Sequence, residues 1–313
     1  MNHAPLSMLA LARRYLAHRR QLGYTMRSAQ LLLDFGRYAD RVAPGRPLTS
    51  ALAMSWASAV PAAQRRTHAG RLAMVRGFAR YCASFDSRTQ VPEPNLLGSC
   101  VERIRPHIFT PDQTRLLLSR ARHLSVQHSA LHPLTYETLI GLLACTGMRP
   151  GEALRLQVRD FDPSCGQLRV RPCKFSPERI IPLHASCVAA LQRYLQMRRM
   201  RFPSVESFFV NAAGRALSPR RTEKVFASLS RGIVSNGQRP TLRMVDFRHT
   251  FASARIARWS RCSGPLAHHL LLLARYLGHS SFNSTWWYVS SGPAALQGAC
   301  ERFRHFHEKN NRP

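Results

Sequence analysis

Lysine is almost missing from this sequence: of 46 basic residues only Lys174, Lys224 and Lys309 are lysines, and the other 43 are arginines. Carboxylates are scarce as well, 16 against those 46 bases, so the formal charge is +30. A GC-rich genome accounts for arginine over lysine but not for the shortage of acids. A field of that sign draws a polyanion, which makes nucleic acid the first partner to consider. No apolar run approaches the ~20 residues that a membrane helix needs. The stretch from Ala4 to Ala12 has neither a basic lead nor a convincing cleavage signal, so no membrane partner and no export are expected. The eight cysteines, at 82, 100, 145, 165, 173, 187, 262 and 300, include no C-x-x-C pair. That argues against a zinc ribbon and a disulfide framework, and points to reduced, mostly buried thiols.

A chain of 313 residues sits where one or two domains are both reasonable, and the pattern predicts two. Apolar residues recur at helical spacing over Leu6–Leu22, Met26–Val42, Ala51–Ala59 and Thr67–Phe85, which predicts a small four-helix domain. Ser87–His107 carries three prolines and little periodicity, so it reads as a linker. The expected domains are residues 1–107 and 108–313. The second opens on Thr110-Pro111-Asp112-Gln113, a capping box with proline at the first helical position. Helices are then predicted over Leu134–Cys145, Gly151–Leu156, Ala185–Arg199, Pro219–Ser235, Val245–Ala257, His269–Leu277 and Ser281–Val289. Gln167–Arg171 and Arg179–Leu183 are predicted to be two arms of a hairpin or small sheet. The fold class is therefore mainly α with a small antiparallel β-sheet.

Three segments carry the chemistry. Thr146-Gly147-Met148-Arg149-Pro150-Gly151-Glu152-Ala153-Leu154 places an arginine at a glycine-flanked helix start with a carboxylate three residues on, a setting that suits phosphate. Asp246-Phe247-Arg248-His249-Thr250-Phe251 sets a second arginine in an amphipathic helix. Leu277-Gly278-His279 ends a further helix nine residues before Tyr288.

At these residues the chain resembles the tyrosine recombinase and phage integrase family, whose pattern joins T-G-x-R-x-x-E-x-L, a hairpin lysine, H-x-x-R-H-T, L-G-H and a tyrosine nine residues beyond. The resemblance covers 108–290, and the helical region before it fits the family's core-binding domain. It implies a site-specific recombinase that cuts and rejoins DNA through a 3′-phosphotyrosine, with catalytic residues Arg149, Lys174, Arg248, His279 and Tyr288. Two guanidiniums, Arg149 and Arg248, hold the charge that builds on the phosphate oxygens. Tyr288 attacks, Lys174 protonates the leaving 5′-oxygen, and His279 donates a hydrogen bond to the phosphate. Glu152, Asp246 and His249 are supporting residues. No cofactor or metal is implied.

The implied partners are double-stranded DNA, further copies of the chain in a synaptic tetramer, and other recombinases, with a place on the bacterial nucleoid in the cytoplasm and a role in a mobile element. One departure stands out: Val245 occupies the family's first histidine position and can neither give nor take a proton. It keeps open a second reading, an accessory DNA-binding paralogue with weakened catalysis beside active partners. The spacing from Arg248 to His279 is also long, with Trp259–His268 reading as an inserted loop. Tyr276, at helical spacing with Leu272 and Leu273, reads as core rather than nucleophile. Beyond Gly292-Pro293, Leu296, Ala299, Cys300, Phe303 and Phe306 predict a short amphipathic helix. Leu296 and Phe303 are expected to touch a partner protomer.

Overall fold

A computed structural model describes residues 7–26, 28–61, 63–98, 106–127, 129–172, 177–233, 242–260 and 266–279. It divides into two compact units, Met1–Ile104 and Arg105–Pro313.

Four helices form the first unit: α1 (Met8–Gln21), α2 (Ala29–Val42), α3 (Ser50–Ser58) and α4 (Arg65–Ala83). The start of α1 is satisfied from two directions. Ser7 Oγ accepts the Ala10 N–H at 3.1 Å, and Asp40 of α2 accepts the N–H groups of Met8 and Leu9 at 2.6 and 3.0 Å. A carboxylate there neutralises the positive end of the helix dipole. Gly36 lets α2 come that close, because a Cβ would lie 2.8 Å from the Leu9 Cα. Phe35 fills the centre, edge-on to Trp56 and Phe78 at 5.2 and 6.2 Å.

The second unit begins as its capping box predicts. Thr110 Oγ1 accepts the Gln113 N–H and Gln113 Oε1 accepts the Thr110 N–H, both at 3.1 Å, ahead of α5 (Pro111–Arg122). Next comes α6 (Leu131–Thr146), apolar around most of its surface and accordingly the buried centre of this unit. Gly147 stops it at φ 61°; a Cβ at this position would meet the Phe251 ring at 2.7 Å. The short helix α7 (Pro150–Ala153) follows at once.

The strands β1 (Phe161–Asp162), β2 (Gln167–Val170) and β3 (Arg179–Pro182) form one antiparallel sheet in that order. The sheet therefore has one strand more than the two predicted arms. Its register sets Leu168 against Ile181 and Val170 against Arg179. With a side-chain period of two, these four share the buried face, while Ile180 points outward and is 56% exposed.

Beyond the sheet lie α8 (Ala185–Arg201), α9 (Pro219–Leu229), α10 (Asp246–Trp259) and α11 (Leu266–Leu277). The expectation of a helix to Ser235 is corrected: α9 ends at Leu229, and Gly232 at φ 72° turns the chain. The predicted loop over Trp259–His268 is shorter as well, since α10 runs through Trp259 and α11 starts at Leu266. Leu270, Leu273 and Leu277 of α11 pack on Ala252 and Ile256 of α10, which fixes the end of α11 against the start of α10. Among the described residues, no helix is long and apolar enough to cross a membrane.

Candidate active site

The site gathers where three chain turns meet: Gly147–Glu152 after α6, the start of α10, and the end of α11. Each turn leaves backbone groups that a helix cannot satisfy from within.

The end of α11 shows this most clearly. Gly278 takes φ 66°; its N–H reaches the Arg275 carbonyl and that of His279 reaches the Ala274 carbonyl, both at 3.0 Å. This left-handed closure turns the chain out of the helix and leaves the last carbonyls in need of donors. Two arginines supply those of Leu277 and Gly278. Arg248 Nη2 donates to the Leu277 carbonyl at 2.7 Å, and Arg149 Nη2 donates to the Gly278 carbonyl at 3.1 Å. The first and second arginines of the motif thus converge on consecutive carbonyls directly before His279. Arg248 also donates through Nη1 to the Gly147 carbonyl at 3.2 Å, so it ties the end of α6 to the end of α11.

Each arginine turn is braced by a carboxylate. Glu152 accepts the Arg149 backbone N–H at 2.9 Å and Arg149 Nη1 at 3.0 Å. Asp246 repeats the device, taking the Arg243 N–H at 3.0 Å and Arg243 Nη2 at 2.8 Å. Both carboxylates are buried.

Sequence spacing missed Arg179, which the sheet register turns inward. Its Nη2 and Nη1 donate to Glu152 at 2.6 and 3.2 Å, and its Nε donates to the Tyr276 carbonyl at 2.8 Å. Burial works against the Glu152 charge, but the two arginines outweigh it and hold the carboxyl below its ordinary value. The sequence offers Arg179 the adjacent Glu178, which instead pairs with Arg169 at 3.4 Å, while the carboxylate that Arg179 grips lies 27 residues upstream.

The two histidines are kept neutral. His279 is pushed down to about 3, first by burial and then by the charges of Arg248, Arg149 and Arg179. His249 is pushed down to about 4, again first by burial; Asp246 opposes this, and Arg243 and Arg248 add to it. At neutral pH each is an imidazole with one N–H to donate. Val245 sits half-buried at the start of α10, one turn before Arg248. Tyr276 stacks on Phe251 at 5.5 Å and is pushed up to about 12, chiefly by burial, so it packs as core.

Lys174, Tyr288, the helix expected at Ser281–Val289, and the tail with Leu296 and Phe303 lie outside the described residues. The cysteines depart from expectation in part: Cys82 and Cys187 are buried, while Cys145 and Cys165 are exposed. Among the described residues, no group of three or more His, Cys, Asp or Glu side chains is placed to hold a metal ion.

The sequence profile of the Phage integrase family matches residues 108–294. A Sinorhizobium fredii protein carrying the name integrase/recombinase y4rB is 34% identical over 297 residues, spanning 92% of this chain and 94% of its own length. The tyrosine recombinase XerC of Chlamydia pneumoniae is 26% identical over 223 residues, 71% of this chain and 66% of that one. Among solved structures, the Tn1549 transposon integrase in complex with transposon right end DNA has the same fold. Its TM-score is 0.71 at 17% identity, over 95% of this chain and 99% of that one.

Proposed function

This chain belongs to the phage integrase family, and on that premise we propose that it is a site-specific recombinase that cuts and rejoins double-stranded DNA through a 3′-phosphotyrosine at Tyr288. The observation that carries this reading is the convergence of Arg149 and Arg248 on the carbonyls of Leu277 and Gly278, beside His279. Two fixed guanidiniums on the carbonyls that precede a neutral imidazole suit a phosphodiester whose non-bridging oxygens gain charge as it is attacked.

In the proposed reaction the Tyr288 phenol oxygen attacks phosphorus, and the 5′-oxygen leaves with a proton from Lys174. Arg149 and Arg248 hold the phosphate oxygens, His279 donates a hydrogen bond, and Glu152 and Arg179 keep Arg149 in place. The phosphotyrosine keeps the energy of the broken bond, so rejoining needs no nucleotide cofactor. The formal charge of +30 supports DNA as the partner. The first unit is proposed as the core-binding half of a clamp, with four protomers pairing two sites and the element mobile.

A nicked DNA site that loses its 5′-fragment after cleavage traps the covalent species. Incubation with such sites and a denaturing gel tests the proposal: a protein–DNA band is expected, and its absence with a bound cognate site overturns it.

A further inference from the structure

Cys145 lies in the last turn of α6 and Cys187 in the first turn of α8, 42 residues apart in sequence, yet their sulfurs are 3.3 Å apart. Cys187 is buried and Cys145 is exposed. Cys145 also lines a cavity of about 330 Å³ together with His184, Arg255, Phe251 and Tyr276. The recombination chemistry has no use for either thiol. The cavity gives a small oxidant a path to the Cys145 sulfur, with the Cys187 sulfur in contact beside it. The S–H···S contact holds the Cys145 thiol below its ordinary value and, with burial, pushes Cys187 up. This is the arrangement of an attacking and a resolving thiol.

We propose that Cys145 and Cys187 are a redox-active pair, which a hydroperoxide converts to a disulfide, and that the bridge slows DNA cleavage by displacing the turn at Thr146–Arg149. The second half rests on the recombinase reading. The Cys145 thiolate attacks the hydroperoxide: an S–O bond forms, the O–O bond breaks, and the departing oxygen takes a proton to leave as water or an alcohol. The Cys187 sulfur then displaces the sulfenic hydroxyl, forming S–S and breaking S–O, and the thiol proton leaves with that oxygen as water. Two thiols lose two electrons and the hydroperoxide gains them.

The bridge reaches the site through a rigid path. Closing the sulfurs to about 2.05 Å shortens their separation by roughly 1.2 Å. Cys145 is followed by Thr146, whose hydroxyl bonds the Leu142 carbonyl at 2.6 Å and accepts the Met148 N–H at 3.3 Å. Gly147 has no slack against Phe251 and holds Arg248 through its carbonyl. Close-packed segments pass such a shift on rather than absorbing it.

The test uses the full chain, reduced and then treated with hydrogen peroxide. Non-reducing peptide mapping is expected to find residues 145 and 187 joined, with two hydrogens lost, and dithiothreitol is expected to reverse it. Oxidised protein should cleave a nicked DNA site about tenfold or more slowly, a modest part of the loss that a 1 Å misplacement brings. Cys187→Ser and Cys145→Ser should keep their rates after peroxide. Hydrogen exchange at residues 146–149 reads the displaced turn without DNA. Absence of the joined peptide overturns the pair, and a bridge that alters neither exchange nor cleavage overturns the switch. A reduced protein that never cuts DNA counts against the recombinase reading alone, while mapping and exchange still decide the bridge.

Discussion

Arg179 grips Glu152 with both ends of its guanidinium fork, Nη2 to Oε2 at 2.6 Å and Nη1 to Oε1 at 3.2 Å, and both side chains are buried. Glu152 also holds Arg149, and the Arg179 Nε reaches the Tyr276 carbonyl. One arginine on β3 thereby joins the sheet, α7 and the end of α11. Removing it strands a buried carboxylate with half its partners.

Arg179→Met is therefore expected to lower unfolding stability by about 3–5 kcal/mol, the cost of breaking a buried pair from one side. Urea unfolding of the two proteins checks it. A loss under about 1 kcal/mol, the scale of a solvent-exposed pair, means the pair is not what holds this corner.

Acid should weaken the fold in two stages. His279 and His249 stay neutral in the folded state down to about 3 and about 4, while unfolded histidines take up protons near 6.5. The unfolded state then binds more protons, so stability falls as pH drops below 6.5. Glu152 is depressed instead, so its contribution is complete above the ordinary value of 4.5 and is lost as pH falls below it. Melting temperature is expected to be highest above pH 6.5 and to fall continuously below it. His279→Gln should flatten the limb between pH 6.5 and 4. A melting temperature that rises between pH 6.5 and 5 contradicts this.

Arg149→Ala leaves a half-exposed gap in the surface, so folding should survive. DNA cleavage should fall by about 10²- to 10³-fold, the scale of one fixed donor at a transition state. Single-turnover cleavage at saturating protein measures it, and a wild-type rate removes Arg149 from the site.

Val245 lies one helical turn from Arg248, so Val245→His returns an imidazole to the same face. Cleavage is expected to rise by about 10- to 1000-fold, a tenth of what a fully placed general acid–base group contributes. An unchanged rate in a folded variant means that another group already moves that proton.

The Arg149 turn was legible because its causes are local: Gly147 must be left-handed to stop α6, and Glu152 caps the next turn from three residues on. Arg179 was hidden because period-two alternation in Arg179-Ile180-Ile181-Pro182 does not decide which face is inward. Pairing with Val170 decides it, and the buried charge is tolerable only because Glu152 is waiting there. The contact of Cys145 with Cys187 has the same origin, since the packing of α6 on α8 brings together thiols that spacing leaves unrelated. The end of α9 and the span of α10 shifted for a humbler reason: apolar spacing marks a helix better than it marks where the helix stops.

The central chemistry comes down to which oxygen carries the DNA. Protein trapped on a nicked site, digested by protease and nuclease and read by mass spectrometry, gives the residue directly. A phosphonucleotide on Tyr288 is expected, together with complete loss of the adduct in Tyr288→Phe at unchanged DNA affinity. Attachment to Tyr276 or to a serine, or an adduct that survives Tyr288→Phe, contradicts it.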